Sequence, residues 1–268
     1  MHLDNQLLIL LFLTFIINLV GSLAYSVRIA GVRTMRIAVS FSMFNILVLV
    51  SRTANTFQVP LMAKRVEQHL SAGPAGGIGD FRWLIAAASA ATIVGALLTP
   101  TFQRLFARGV DAFAEHRSIP RLLLRAFSPV GIASIRDSIV MPRANNLRVL
   151  FTHSRISISV IVMNMVATAV WTVGVFASLF AAYYNPVLRT TASSLSGLIN
   201  GLATILLFIV VDPYLSLITD DVVKGRATDA YFRRSVVWLL GSRLAGTLLA
   251  QLLLTPAALA IATTARWL

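Results

Sequence analysis

Six stretches of the chain, roughly 6–27, 37–59, 83–103, 157–182, 188–218 and 236–262, are predominantly apolar. Each reaches the length of about 20 residues that an α-helix needs to cross the hydrocarbon core of a bilayer. Polar and charged residues collect between them. The pattern predicts an all-α polytopic membrane protein, with residues 1–268 forming a single membrane domain of six transmembrane helices. The leader MHLDN lacks the positive region of a secretory signal and the apolar run behind it continues to Val27, so the first stretch is read as a retained span.

Between the third and fourth spans, residues 104–155 break the apolar pattern. RLFARGVDAF and PRLLLRAFSPVG place arginines among Leu, Phe and Val at helical spacing, which predicts an interfacial amphipathic helical segment cut by Pro120, Pro129 and Pro142. SAGPAGGIGD (71–80) reads as a flexible glycine-rich loop between the second and third spans. Composition agrees with a membrane class: 57% of residues are hydrophobic, 12% are charged and the mean hydropathy is +0.80.

A net charge of +13 could suggest nucleic acid, but the placement of the basic residues gives another reading. Arg28, Arg33 and Arg36 follow the first span, a series of arginines lies between Arg104 and Arg155, and Lys224, Arg226, Arg233 and Arg234 precede the last span. All of these fall on one side of a six-span map. By the positive-inside rule that side is cytoplasmic and both termini lie outside. The charge is then explained by topology and contact with anionic membrane lipids, and no nucleic acid partner is expected.

Enzyme motifs are absent. No histidine and no glutamate falls in a predicted span, and Asp212 is the one carboxylate there. There is no cysteine, no Gly-Xaa-Ser-Xaa-Gly and no phosphate-binding loop. No catalytic residue, metal or cofactor is expected.

The spans do carry polar seams at helical spacing. Asn45, Arg52, Asn55 and Thr56 share a face of the second; Asn164, Thr168 and Thr172 line the fourth; Ser193, Asn200 and Thr204 the fifth; Arg243, Thr247 and Gln251 the sixth. A charge at membrane depth costs roughly 2.5–3.5 kcal/mol on insertion scales, so each arginine needs a reason. Counted from the predicted span ends, Asp212 and Arg243 both sit ~10 Å from the cytoplasmic side at 1.5 Å per residue, and a structural ion pair between them is expected. Arg52 lies ~22 Å in by the same rise, with no carboxylate at its depth, and is a candidate pathway residue.

Two strings in residues 23–61, AYSVRIAGVRT and FN-x-L-V-L-V-S-R-T-A-N, closely resemble the Amj family, the alternative lipid II flippases of bacteria. The resemblance implies translocation of lipid II, the undecaprenyl-diphosphate-linked peptidoglycan precursor, across the cytoplasmic (inner) membrane. Guanidiniums suit a diphosphate through bidentate charge-assisted bonds. The implied substrate path has Arg28 and Arg33 at the cytoplasmic mouth, Arg243 further in and Arg52 toward the exit, with Asn45, Asn55, Asn200 and Gln251 for the disaccharide and peptide. Two other readings of the residues remain open: a channel or carrier for a small anionic solute, and a membrane enzyme acting on a polyprenyl phosphate.

Overall fold

The structure is a computed structural model that describes residues 4–72, 77–116, 128–140 and 156–268. Its helices are α1 (Asn5–Thr34), α2 (Ile37–Ala72), α3 (Ile78–His116), α4 (Pro129–Ser138), α5 (Ile158–Phe180), α6 (Arg189–Leu206), α7 (Asp212–Val223) and α8 (Asp229–Thr264). A 3₁₀ turn, Ala181–Tyr183, extends α5. A π-helical turn, Leu207–Val211, joins α6 to α7 just ahead of Pro213. Six helices are long and apolar enough to cross a membrane, α6 and α7 counting as one, and no strand occurs among the described residues. The chain is a multi-pass, all-α membrane protein. Of the expected amphipathic segment, residues 104–116 prolong α3 and 129–138 form α4, while 117–127 and 141–155 lie outside the described residues.

Local chemistry sets the helix ends. Asp4 caps α1, its Oδ1 accepting from Leu7 N at 2.8 Å. At the other end Met35 turns left-handed (φ 55) and the Arg36 N–H returns to Gly31 O, so α2 begins two residues later. Ser128 caps α4 ahead of Pro129, and Arg108 of α3 holds that helix by donating to Ser134 O (2.6 Å) and Ser138 Oγ (3.0 Å).

The bundle consists of two three-helix halves, α1–α3 and α5–α8. In the first, α1 packs against both α2 and α3; in the second, α5 packs against both α6 and α8. Small residues allow the close crossings. A Cβ on Gly95 would lie 2.5 Å from Ser22 Cβ, and one on Gly246 would lie 2.5 Å from Met165 O. The main seam between the halves is α3 against α8. Apolar clusters close both ends: Tyr25 and Ile29 with Leu215 and Phe232 at the end bearing the basic loops, and Phe81 with Phe176 and Phe180 at the far end.

Helices α2 and α3 overrun their expected ends at 59 and 103, α2 continuing through Pro60 to Ala72 and α3 to His116. Lys64, Arg65 and His69, expected in a loop or outside the spans, therefore lie on α2. The extension is held by charge: Arg65 is buried, donating from Nε to Asp80 Oδ2 (2.6 Å) and from Nη1 to both oxygens of Asp4 (2.8 and 2.7 Å). Asp80 is thus a buried carboxylate, whereas Asp212, expected to be the buried one, has a side chain 37% exposed.

Arg65→Met should lower the melting temperature in detergent sharply, because Asp80 is left buried and unpaired, a loss of about 3–5 kcal/mol for such pairs. Adding Asp80→Asn should recover part of it. The Arg65 hydrogen bond, then the Leu7 N–H, hold the Asp4 carboxyl below its usual range. A depressed carboxylate stabilises above its unfolded pKa, so the terminal tether should be complete above about pH 4 and weaken as pH falls below it. Melting curves across that range, with Asp4→Asn flat by comparison, check it.

Candidate functional site

The buried polar side chains of α1 donate back to carbonyls of their own helix. Thr14 Oγ1 donates to Leu10 O (2.8 Å), Asn18 Nδ2 to Thr14 O (3.0 Å) and Ser22 Oγ to Asn18 O (3.0 Å), a ladder at i, i+4 along α1. The ladder leaves Asn18 Oδ1 without a partner. Opposite stand Thr168 and Thr172 of α5, one turn apart.

These faces bound two adjoining chambers that share Ile17 and Trp171. The larger, ≈ 210 Å³, is lined among others by Gly21 of α1, Ser51 of α2, Thr168 of α5, Leu207 of the π turn and Arg243 of α8. The smaller, ≈ 70 Å³, is lined by Thr14, Asn18, Asn55, Gln58, Thr172 and Asn200 among others. Gln58 Nε2 donates to Thr14 Oγ1 and so ties α2 to α1 beside the chamber. The flanks of the cleft are α2 and α6, which hardly touch each other, leaving it without a wall on that side.

Arg243 dominates the electrostatics. It is 8% exposed, and no carboxylate among the described residues lies within 4 Å of it. It stands 14 residues into a 36-residue helix, ~21 Å from one end and ~31 Å from the other at 1.5 Å per residue, in the middle third of the helix. Space for it comes from α1: a Cβ on Gly21 would lie 2.3 Å from Arg243 Nη2. Gly174 serves Asn200 likewise, its Cβ position being 2.6 Å from Asn200 Oδ1. Five buried atoms of the cleft lack a protein hydrogen-bond partner: Asn18 Oδ1, Thr168 Oγ1, Thr172 Oγ1, Asn200 Oδ1 and Arg243 Nε. Buried polar atoms are almost always satisfied, so a cluster of exceptions suits a polar ligand.

The expected site residues divide. Arg243, Asn55 and Asn200 meet in the cleft. Arg52 and Asn45 are exposed on α2 and line neither chamber; Arg33 is exposed at the basic end. Gln251 donates to Arg82 O (2.8 Å), an α8–α3 packing contact. Asn164 does the same for α5 and α8, donating to Leu239 O (3.0 Å) and Ser242 Oγ (2.7 Å). The expected Asp212–Arg243 ion pair is absent. Asp212 is bound instead by Arg28 Nη2 at 2.7 Å, and Arg28 also lies 5.1 Å from the centroid of the Phe41 ring. The physical reason is that the two side chains meet α1 at different levels: the Arg243 guanidinium turns to Gly21, while Arg28, seven residues further along α1, reaches Asp212. Thr14, Asn18, Gly21, Ser51, Gln58 and Trp171 escaped the sequence reading, although the spacing of Thr14, Asn18 and Ser22 is a legible seam.

Comparison with known proteins adds a family. The family model described as "Amj: Alternate to MurJ" matches residues 13–265. The "Lipid II flippase Amj" of Bacillus subtilis (strain 168) is 36% identical over 269 residues, covering 100% of both chains. No solved structure matches.

The ion-pair assignment gives a direct test. Arg28→Ala and Asp212→Ala should be non-additive in melting temperature, with a coupling on the order of 0.5–3 kcal/mol, whereas Asp212→Ala and Arg243→Ala should add.

Proposed function

This chain belongs to the Amj family, and from that premise we propose that it is a lipid II flippase, carrying the undecaprenyl-diphosphate-linked peptidoglycan precursor from the inner to the outer leaflet of the bacterial cytoplasmic membrane. It is a transporter and not a catalyst, with both termini outside and the basic loops in the cytoplasm against anionic lipids.

The observation that carries this reading is the cleft: a polar groove at mid-depth, holding one buried guanidinium, flanked by two helices that hardly touch. A lipid-linked substrate needs that open side. Its polyprenyl chain stays among the acyl chains while only the head enters. Arg243 takes the diphosphate, for which a planar fork of donors is well shaped. Asn18, Asn55, Thr172 and Asn200 offer donors and acceptors to sugar and peptide. Arg52, adjacent to Ser51 on the exposed flank of α2, meets the diphosphate as it enters from the lipid. Arg28 is committed to Asp212 and serves the site as a closure rather than as a ligand. A channel for a small anion would need the groove walled between α2 and α6, and so fits less well.

Arg243 separates function from stability. Arg243→Met removes a charge that costs a few kcal/mol to bury and that no carboxylate offsets, so it should accumulate normally and melt no lower than wild type while failing to flip lipid II. Arg243→Lys, which keeps the charge but loses the fork, should retain only part of the activity. Gly21→Ala leaves the cation in place but drives its guanidinium aside, and should resemble Arg243→Lys. Lipid II exposed at the outer leaflet, measured beside membrane abundance, checks all three. Wild-type flipping by Arg243→Met would remove the diphosphate site from the cleft.

A further inference from the structure

The second half of the chain repeats the first. A shift of 155 residues lays α8 on α3: Trp83 meets Trp238, Leu84 meets Leu239, Ala90 meets Ala245, Thr92 meets Thr247, and Leu97–Leu98 meet Leu252–Leu253. One residue beyond, both helices carry Leu-Thr-Pro, at 98–100 and 254–256. Burial follows the same register. Leu84/Leu239, Ile85/Leu240, Ala88/Arg243, Ala91/Gly246, Thr92/Thr247 and Gly95/Ala250 are buried as pairs, and Ile93/Leu248 and Leu97/Leu252 are exposed as pairs. A shift of 150 does the same for α5 on α1, aligning buried Thr14, Asn18 and Ser22 with buried Asn164, Thr168 and Thr172.

The packing obeys this correspondence too. Each half has a central first helix, pressed by its third helix at a glycine crossing (Gly95 on Ser22, Gly246 on Thr168) and flanked by a second that packs on that first helix and little on the third. Those second helices, α2 and the α6–α7 span, are the least buried of the six, with 11% of their most apolar stretch buried in each, and they border the cleft. A half with three spans is odd, so the second enters the membrane from the side opposite to the first.

We infer that the chain is an inverted-topology repeat whose halves, 4–116 and 156–264, rock about the α3–α8 seam and present Arg243 alternately to the two sides of the membrane. In repeats of this kind the substrate site lies near mid-depth at the repeat interface, and exchanging the conformations of the halves exchanges the open side. Arg243 is at that depth, and its counterpart, Ala88, carries no charge, so one cation serves both sides. Each end has a contact between halves to release: Arg28 with Asp212 at the basic end, and His69 Nδ1 with Tyr183 Oη (3.2 Å) beside Glu67 with Arg189 (3.8 Å) at the far end. Both are made in this structure, and the larger chamber of the cleft has room for only about seven waters at ~30 Å³ each. A disaccharide bearing a peptide requires one contact to open.

The test rests on Ser51→Cys as a reporter in the cleft, clean because the chain has no cysteine. An impermeant thiol reagent is applied to membrane vesicles from one side or the other. Asp212→Asn, or Arg28→Gln should the first fail to accumulate, releases the basic-end contact; Glu67→Arg with Tyr183→Phe releases the other. A released contact should raise labelling from its own side and lower it from the opposite side, each by about tenfold, the two sets acting in opposite directions. Labelling that moves the same way from both sides, or not at all, overturns the rocking repeat. The proposal deepens the flippase reading, and its readout does not depend on it: reciprocal labelling in a protein that fails to flip lipid II would overturn the substrate while leaving the repeat standing.

Discussion

A buried guanidinium within a membrane span, with no carboxylate among the described residues to neutralise it, is the constraint around which this bundle is arranged. Insertion alone makes it cost roughly 2.5–3.5 kcal/mol, and lipid-facing placement would raise the cost further. The protein meets this by surrounding Arg243 with protein. Gly21 gives up a side chain to admit the guanidinium, and Thr168 supplies a hydroxyl on the opposite wall. The close α5–α8 crossing at Gly246 fixes the helix that carries it. Much of the polar chemistry of α1, α2 and α5 converges on the same volume.

Charge is handled differently at the ends. Arg65 is buried between two aspartates, Arg28 is paired and stacked, and the pairs on the surface are solvent-exposed and contribute little. Paired charges at the ends let α2 and α3 run well past the apolar stretches that define them, and make the ends definite structures to be broken and remade. The unpaired charge at the centre belongs to the one place where a ligand could complete it.

Much of the fold was legible in the sequence, because a helix in lipid must be apolar for about 20 residues and six stretches are. The helix ends were not, since the apolar stretches stop near Val59 and Gln103 while the helices go on, and the partner of Arg65 is 15 residues away along the chain. Among site residues, depth and face decided the outcome. Successive helical residues differ by about 100° in direction, so Ser51 lines the cleft while Arg52 beside it does not. Sequence spacing groups residues on a face but does not say which face points inward; for α2, with so little of it buried, the hydrophobic pattern is nearly silent. Asp212 was matched to Arg243 by depth alone, and the nearer Arg28 comes from a helix 184 residues away. The repeat was also written in the sequence, yet its strongest trace pairs α8, whose polar seam is plain, with α3, whose Thr92 and Thr99 stand among alanines and form no comparable seam.

A single cation at mid-depth also suits what such a site has to do. A carrier must bind well enough for the head group to leave the interface and weakly enough to give it up on the other side. A diphosphate carries about two negative charges, and a ring of arginines in a low dielectric would hold it as a trap. One guanidinium, unencumbered by a carboxylate, neutralises part of that charge, and the hydroxyls and amides around it replace part of the lost hydration. In a rocking repeat the same Arg243 would face both sides in turn, so that binding it would favour neither leaflet by itself. Direction must then come from outside the cleft, from the supply of substrate on one side, its consumption on the other, or the membrane potential acting on the charge of the complex.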